Sequence, residues 1–189
     1  MTREVWLRLM TVKLRADFSR RGIELPSEIA VSCGWPSKNA RARNGRRIGE
    51  CWRADCSAGR RPEIFISPTL ADSVEVAAVL VHEMIHAALP DAGHGPAFKR
   101  AAVQLGLTGK MTATVAGPDL RDHLALLVRQ IDRRGYPHAE LRPLGDERKQ
   151  STRLIKLECR GCGYVIRTTR KWIEVGTPVC CCGEPFEEG

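Results

Sequence analysis

The sequence predicts an α+β fold: a main domain in which one long helix packs on a small antiparallel sheet, followed by a small cysteine-held module. Three observations carry that prediction. An apolar stripe runs through Val74, Ala77, Ala78, Val81, Ile85 and Ala88 at helical spacing. Three short β-rich stretches precede it. Five of the eight cysteines fall within residues 159–189, a clustering that suits a metal better than a disulfide framework spread over a domain.

The elements follow in order. Val5, Leu9, Val12 and Phe18, with Trp6 and Leu7 alongside, predict an amphipathic helix over 3–21 that ends near Gly22. Strands are expected within 28–35 and 48–54, separated by an arginine-rich loop with an Asn44-Gly45 turn signal, and at 63–68. Asp72 and Glu75 mark the start of the long helix, and Pro90, Asp91 and Gly93 its end. A further helix begins after His94 with Pro96 in its first turn, residues 110–115 read as extended, and 118–135 read as the last helix of the main domain. Residues 136–152 mix Pro, Gly and charge without periodicity and read as a linker. The expected organisation is thus 1–135, a linker at 136–152, and 153–189.

Composition narrows the function classes. With 43% apolar and 28% charged residues the chain is an ordinary folded protein. The longest apolar run near the long helix, 76–81, falls far short of the ~18 residues a membrane span needs. Charges interrupt the first eighteen residues, unlike a secretory signal, so a cytoplasmic location and no membrane partner are expected. The net charge is +8, and residues 1–62 hold fourteen Lys/Arg against six Asp/Glu. That surplus, densest at 41–47, suits a phosphate backbone.

The long helix carries the motif H-E-x-x-H. His82 and His86 return to nearly the same side of a helix after about 400° of rotation, so both imidazoles reach one metal ion. Glu83 lies roughly 60° round from His86, beside the metal, where a carboxylate can take the proton of an activated water. A catalytic zinc needs three protein ligands and an open position. His94 follows a Pro-x-x-Gly turn that lets the chain double back and supply the third. Leu89 and Ala92 occupy the positions where the metzincin pattern has glycine and histidine, which excludes that subclass.

The stretches VLVHEMIHAAL (79–89) and GHGPAFKRAA (93–102) resemble the SprT-like zinc metalloprotease family. The resemblance implies a zincin-like domain in which His82, His86 and His94 hold zinc and Glu83 is the catalytic base. It also implies a C-terminal zinc ribbon and activity on proteins crosslinked to DNA.

Cys159-x-x-Cys162-Gly supplies one half of a four-thiolate structural zinc site. Cys180 and Cys182 form the favoured second half, because Gly183 mirrors Gly163. Cys181 could replace either one. Expected metals are therefore one catalytic and one structural zinc. For DNA contact the candidates are Arg41, Arg43, Arg46 and Arg47 in the basic loop, and Arg167, Arg170, Lys171 and Trp172 beside the cysteines.

Two functions fit these residues. One is a zinc metalloprotease that holds a protein substrate as an extended strand beside residues 63–67. The other is a nucleic-acid-binding accessory protein whose zinc sites are structural.

Overall fold

A computed structural model describes residues 1–40, 46–142 and 154–189, and divides the chain into two compact units, 1–143 and 144–189. Helix α1, Arg3–Ser19, opens the first unit, with the Thr2 hydroxyl accepting from the Val5 N–H at 3.3 Å. Its buried face is Trp6, Leu7, Met10, Leu14 and Phe18, whereas Leu9 and Val12 are exposed. The sequence pattern put the apolar stripe on the wrong phase: both faces have helical spacing, and the one holding the two large aromatic rings turns inward.

Strands β1 (Ala30–Cys33), β2 (Gly49–Trp52) and β3 (Glu63–Ile66) form a three-stranded sheet in the order β1-β3-β2. The expected antiparallel sheet is instead mixed, since β1 runs parallel to β3 and β2 antiparallel. The chain crosses over β3 between β1 and β2, which places β3 at the centre. A substrate strand beside β3 is therefore excluded, because both its edges are already paired.

Helix α2, Ser73–Ala88, is capped by Asp72, whose carboxylate accepts from the N–H groups of Val74 and Glu75 at 3.1 and 2.8 Å. Every residue from Val76 to Val81 is buried, so the helix is enclosed on nearly all sides rather than along one stripe. Helix α3 spans Pro96–Gln104. The stretch 110–115 is the end of a hairpin, not one strand: β4 (Leu107–Lys110) pairs antiparallel with β5 (Ala113–Ala116) across Met111 and Thr112. Helix α4, Pro118–Ile131, closes the layer of helices. No helix among the described residues is long and apolar enough to cross a membrane.

The first part of the expected linker packs into this unit. Tyr136 is buried with its ring edge-on to Trp6 at 5.0 Å, and its N–H donates to the Ser73 hydroxyl at 2.8 Å. His138 and the Leu141 N–H both meet the Pro68 carbonyl at 2.8 Å. Partners more than sixty residues away leave no periodic trace in so short a segment.

The second unit is a small sheet ordered β7-β6-β8 from β6 (Ile155–Cys159), β7 (Val165–Thr168) and β8 (Phe186–Glu188), with a short helix α5 (Arg170–Val175). Among the described residues its buried core is Leu157, Cys159, Cys180 and Phe186.

Replacing Tyr136 by Ala is expected to destabilise the first unit by about 3 kcal/mol, as for other buried aromatics. Urea denaturation measures this; a change near zero would mean that the segment is only a tether.

Candidate active site

Helix α2 presents His82 and His86 on successive turns, and the loop after it brings the third histidine back. The Ala92 N–H donates to Leu89 and the Gly95 N–H to Ala92, with Gly93 between them at φ +51°, a conformation glycine adopts without strain. As a result His94 Nε2 lies 3.2 Å from both His82 Nε2 and His86 Nε2. Two Zn–N bonds of ~2.05 Å at the tetrahedral angle separate their nitrogens by about 3.3 Å. Both separations from His94 thus match that of two nitrogens on one zinc, and all three ligand atoms lie within 4.8 Å of one another.

Surrounding groups hold the imidazoles in place. Thr114 Oγ1, on β5, lies 2.8 Å from His82 Nδ1, which leaves Nε2 for a metal. The Phe98 ring packs against all three histidines, with centroids 4.6–5.0 Å apart. Burial, reinforced by the other two histidines, lowers the pKa of His82 to about 3. Burial, then His94 and Arg47, lowers His86 to about 4, and burial with Arg47 also lowers His94. All three are neutral at pH 7, the form that ligates a metal.

Glu83 is buried under the start of β2. A Cβ on Gly49 would lie 2.4 Å from Glu83 Oε1 and 2.6 Å from Val79 Cγ1; only glycine fits there. Burial pushes the Glu83 carboxyl up to about 8, against the pull of Arg47 and with a smaller push from Glu50. A metal dication beside it favours the ionised form.

The second unit gathers four thiols. Sγ atoms of Cys159, Cys162, Cys180 and Cys182 all lie within 4.8 Å of one another, with Cys159–Cys182 at 3.4 Å and Cys162–Cys180 at 3.5 Å. These separations exceed a disulfide bond and approach the ~3.8 Å between thiolates on one zinc. Two matching turns build the cluster. The Gly163 N–H donates to Cys159 and the Gly183 N–H to Cys180, and both glycines have positive φ, +73° and +90°. Burial opposes ionisation of Cys159, but N–H groups of Cys162 and Gly161 and the thiols of Cys182 and Cys180 bring it down to about 7. Cys181 is exposed, 3.9 Å from Cys180 Sγ and outside the group of four.

Arg41 and Arg43 lie outside the described residues. Arg46 follows that segment, and Arg47 is bonded to Glu50 at 2.5 Å. On the second unit Arg167 is exposed, Lys171 lies over the exposed Trp172 ring, and Arg170 donates from Nη1 and Nη2 to the two carboxylate oxygens of Glu188. Sequence reading assigned no role to Thr114, Gly49 or Glu50. Thr114 lies in a stretch read only as extended, thirty-two residues from its histidine, and no spacing rule reaches that far. Cys33, Cys51 and Cys56 join no metal-sized group among the described residues, and burial, with Glu83 and Glu50 nearby, pushes the Cys51 thiol up to about 12.

Gly49→Ala is expected to destabilise the first unit by ~1–3 kcal/mol through overpacking. Gly59→Ala, whose Cβ meets nothing nearer than 3.5 Å, is the neutral control in the same urea titration.

Comparison with known proteins returns no curated protein and no solved structure. The SprT-like family model does match, over residues 17–117. That span covers more than half of the 189 residues and includes β1–β3, α2 and all three clustered histidines: the chain belongs to the SprT-like family.

Proposed function

We propose that this protein is a zinc-dependent metalloprotease that acts on proteins bound or crosslinked to DNA. The observation that carries this reading is the gathering of His82, His86 and His94, with His94 Nε2 3.2 Å from each of the other two, on and after the helix that also carries the buried Glu83. His82, His86 and His94 would hold the ion. Zinc supplies Lewis acidity, which makes a water easier to deprotonate and a carbonyl easier to attack. Glu83 takes the proton of the attacking water as the new C–O bond forms. It then returns that proton to the amide nitrogen as the C–N bond breaks.

The edge of β2 is the seat for the substrate main chain. The Ser67 N–H donates to Ile48 and the Gly34 N–H to Ile66. By the alternation of an antiparallel ladder, the N–H and C=O groups of Gly49 and Cys51 project away from β3. An extended peptide paired there would pass directly by Glu83, as in a zincin-like domain.

The second unit is read as a zinc ribbon, with Cys159, Cys162, Cys180 and Cys182 on a structural zinc, because its small core needs a staple. Exposed Tyr164 and Trp172 offer stacking faces, and Arg167 and Lys171 offer phosphate contacts, for single-stranded DNA.

The test is cleavage of a DNA-binding protein by zinc-loaded wild type and Glu83→Gln, with and without single-stranded DNA. Wild type is expected to cleave, more rapidly with DNA, while Glu83→Gln keeps its zinc and loses ~10²–10⁴-fold in rate. Cleavage retained in the purified variant would sink the mechanism. For the ribbon, Cys182→Ser should lose one zinc by metal analysis and unfold the second unit, whereas Cys181→Ser should lose none; equal losses would assign Cys181 as a ligand instead.

A further inference from the structure

The face of the sheet turned away from α2 carries a cleft of about 410 Å³, lined by Trp35, Glu50, Trp52, Ser57, Glu63 and Phe65. Ligand clefts are commonly ~300–1,000 Å³. Strand register builds it. Gly49 presses on Glu83 from one face of β2, so alternation turns Glu50 and Trp52 to the other face, where Glu50 stands opposite Phe65 and Trp52 opposite Glu63 on β3. Trp35 comes just after β1, and the chain before it runs tight over the Phe65 ring: a Cβ on Gly34 would lie 3.0 Å from Phe65 Cδ1.

The lining of the cleft suits a cation. Trp35 and Trp52, each 42% exposed, are the exposed aromatic rings among the described residues of the first unit, and both line it. Indole is the side-chain ring that attracts a cation most strongly. That of Trp52 is held in place, since its Nε1 donates to Glu50 at 3.0 Å. Glu50 also accepts from the Ser37 N–H at 2.8 Å, the Ser37 hydroxyl at 2.7 Å and Arg47 at 2.5 Å, so Arg47 offsets its charge. Glu63 accepts from the neutral Ser57 hydroxyl at 2.5 Å, which takes up one of the roughly four lone-pair sites of a carboxylate and leaves capacity for a cationic donor. A nucleic-acid strand is the poorer occupant, because its phosphates would meet both carboxylates.

The edge of β2 borders this cleft. In a chain added antiparallel at that edge, Gly49 and Cys51 make the hydrogen bonds, so the residues facing Glu50 and Trp52 fall in non-hydrogen-bonded pairs, where side chains approach most closely. Those side chains lie on the face that carries the cleft, while the residues flanking them point toward the α2 face. Neighbouring strands are ~4.8 Å apart. A lysine or arginine stem is long enough to cross the Trp52 ring and bring its charged head to Glu63, with its methylenes lying on the aromatic surface.

We propose that Trp35, Trp52 and Glu63 form a specificity subsite that takes a lysine or arginine side chain of an extended substrate peptide. Calling that peptide a substrate rests on the protease reading; the cation contact does not.

The experiment uses the full zinc-loaded chain carrying Glu83→Gln, which prevents turnover. The probes are peptides of alanine and serine with a central arginine, lysine or norleucine, and calorimetry reads their affinities. Arginine and lysine peptides are expected to bind about tenfold more tightly than the norleucine peptide, as for a partly desolvated cation on indole. Adding Trp52→Leu or Glu63→Gln should bring that ratio below about twofold, while Trp52→Phe should keep part of it. Circular dichroism checks the fold of each variant, and Glu63→Gln carries the test if Trp52→Leu does not fold. Equal affinities for the three peptides, or binding of none, would overturn the subsite even where wild type cleaves protein. A ratio unmoved by the variants would also overturn it, and loss of affinity for a thymidine oligonucleotide in its place would assign the rings to base stacking. If the ratio depends on Trp52 and Glu63 but wild type cleaves nothing, the cation contact stands and the protease reading falls.

Discussion

A helix enclosed on nearly every side has no face on which a polar group is held without cost, and α2 carries His82, Glu83 and His86 within five residues. Burying an ionisable side chain is unfavourable unless something at the site compensates it. Here the imidazoles are kept neutral, Thr114 fixes one of them, and the carboxylate is enclosed under Gly49. The sheet on one side of α2 and α3 with the β4–β5 hairpin on the other each contribute to that enclosure. Packing that stabilises the first unit is thus the same packing that shapes the cluster.

The span matched by the SprT-like family model includes the histidines and the glutamate, and the structure adds the local devices around them. Gly49 admits the Glu83 carboxylate because it has no side chain. Glu50, next to it, faces the other side of the strand and gathers Ser37, Trp52 and Arg47. Alternation along β2 therefore gives one strand two tasks, contact with α2 on one face and a fixed hydrogen-bond network on the other.

Much of the architecture was legible because it depends on local rules. Asp72 caps α2, Gly95 and Pro96 begin α3, and Gly163 and Gly183 turn the two cysteine loops, each at the position its chemistry demands. Misreadings arose where two patterns were locally equivalent or where the partner was distant. Leu9 and Val12 had helical spacing as good as that of Met10 and Leu14, but the volume of Trp6 and Phe18 decided which face turned inward. Parallel pairing of β1 with β3 depends on a crossover between them, and Tyr136 depends on Trp6 and Ser73; neither can be read from periodicity.

The sequence by itself determined the ligand chemistry: two histidines one helical turn apart, a glutamate between them, a third histidine after a turn, and paired cysteines followed by glycine. Those are consequences of backbone period and residue type, which need no knowledge of the fold. Only the tertiary structure decided that His94 Nε2 lies 3.2 Å from both His82 Nε2 and His86 Nε2, and that β3 is the central strand with β2 at an edge of the sheet among the described residues. Each of these is a relation between separate elements, set by how the sheet, the helices and the loops between them pack.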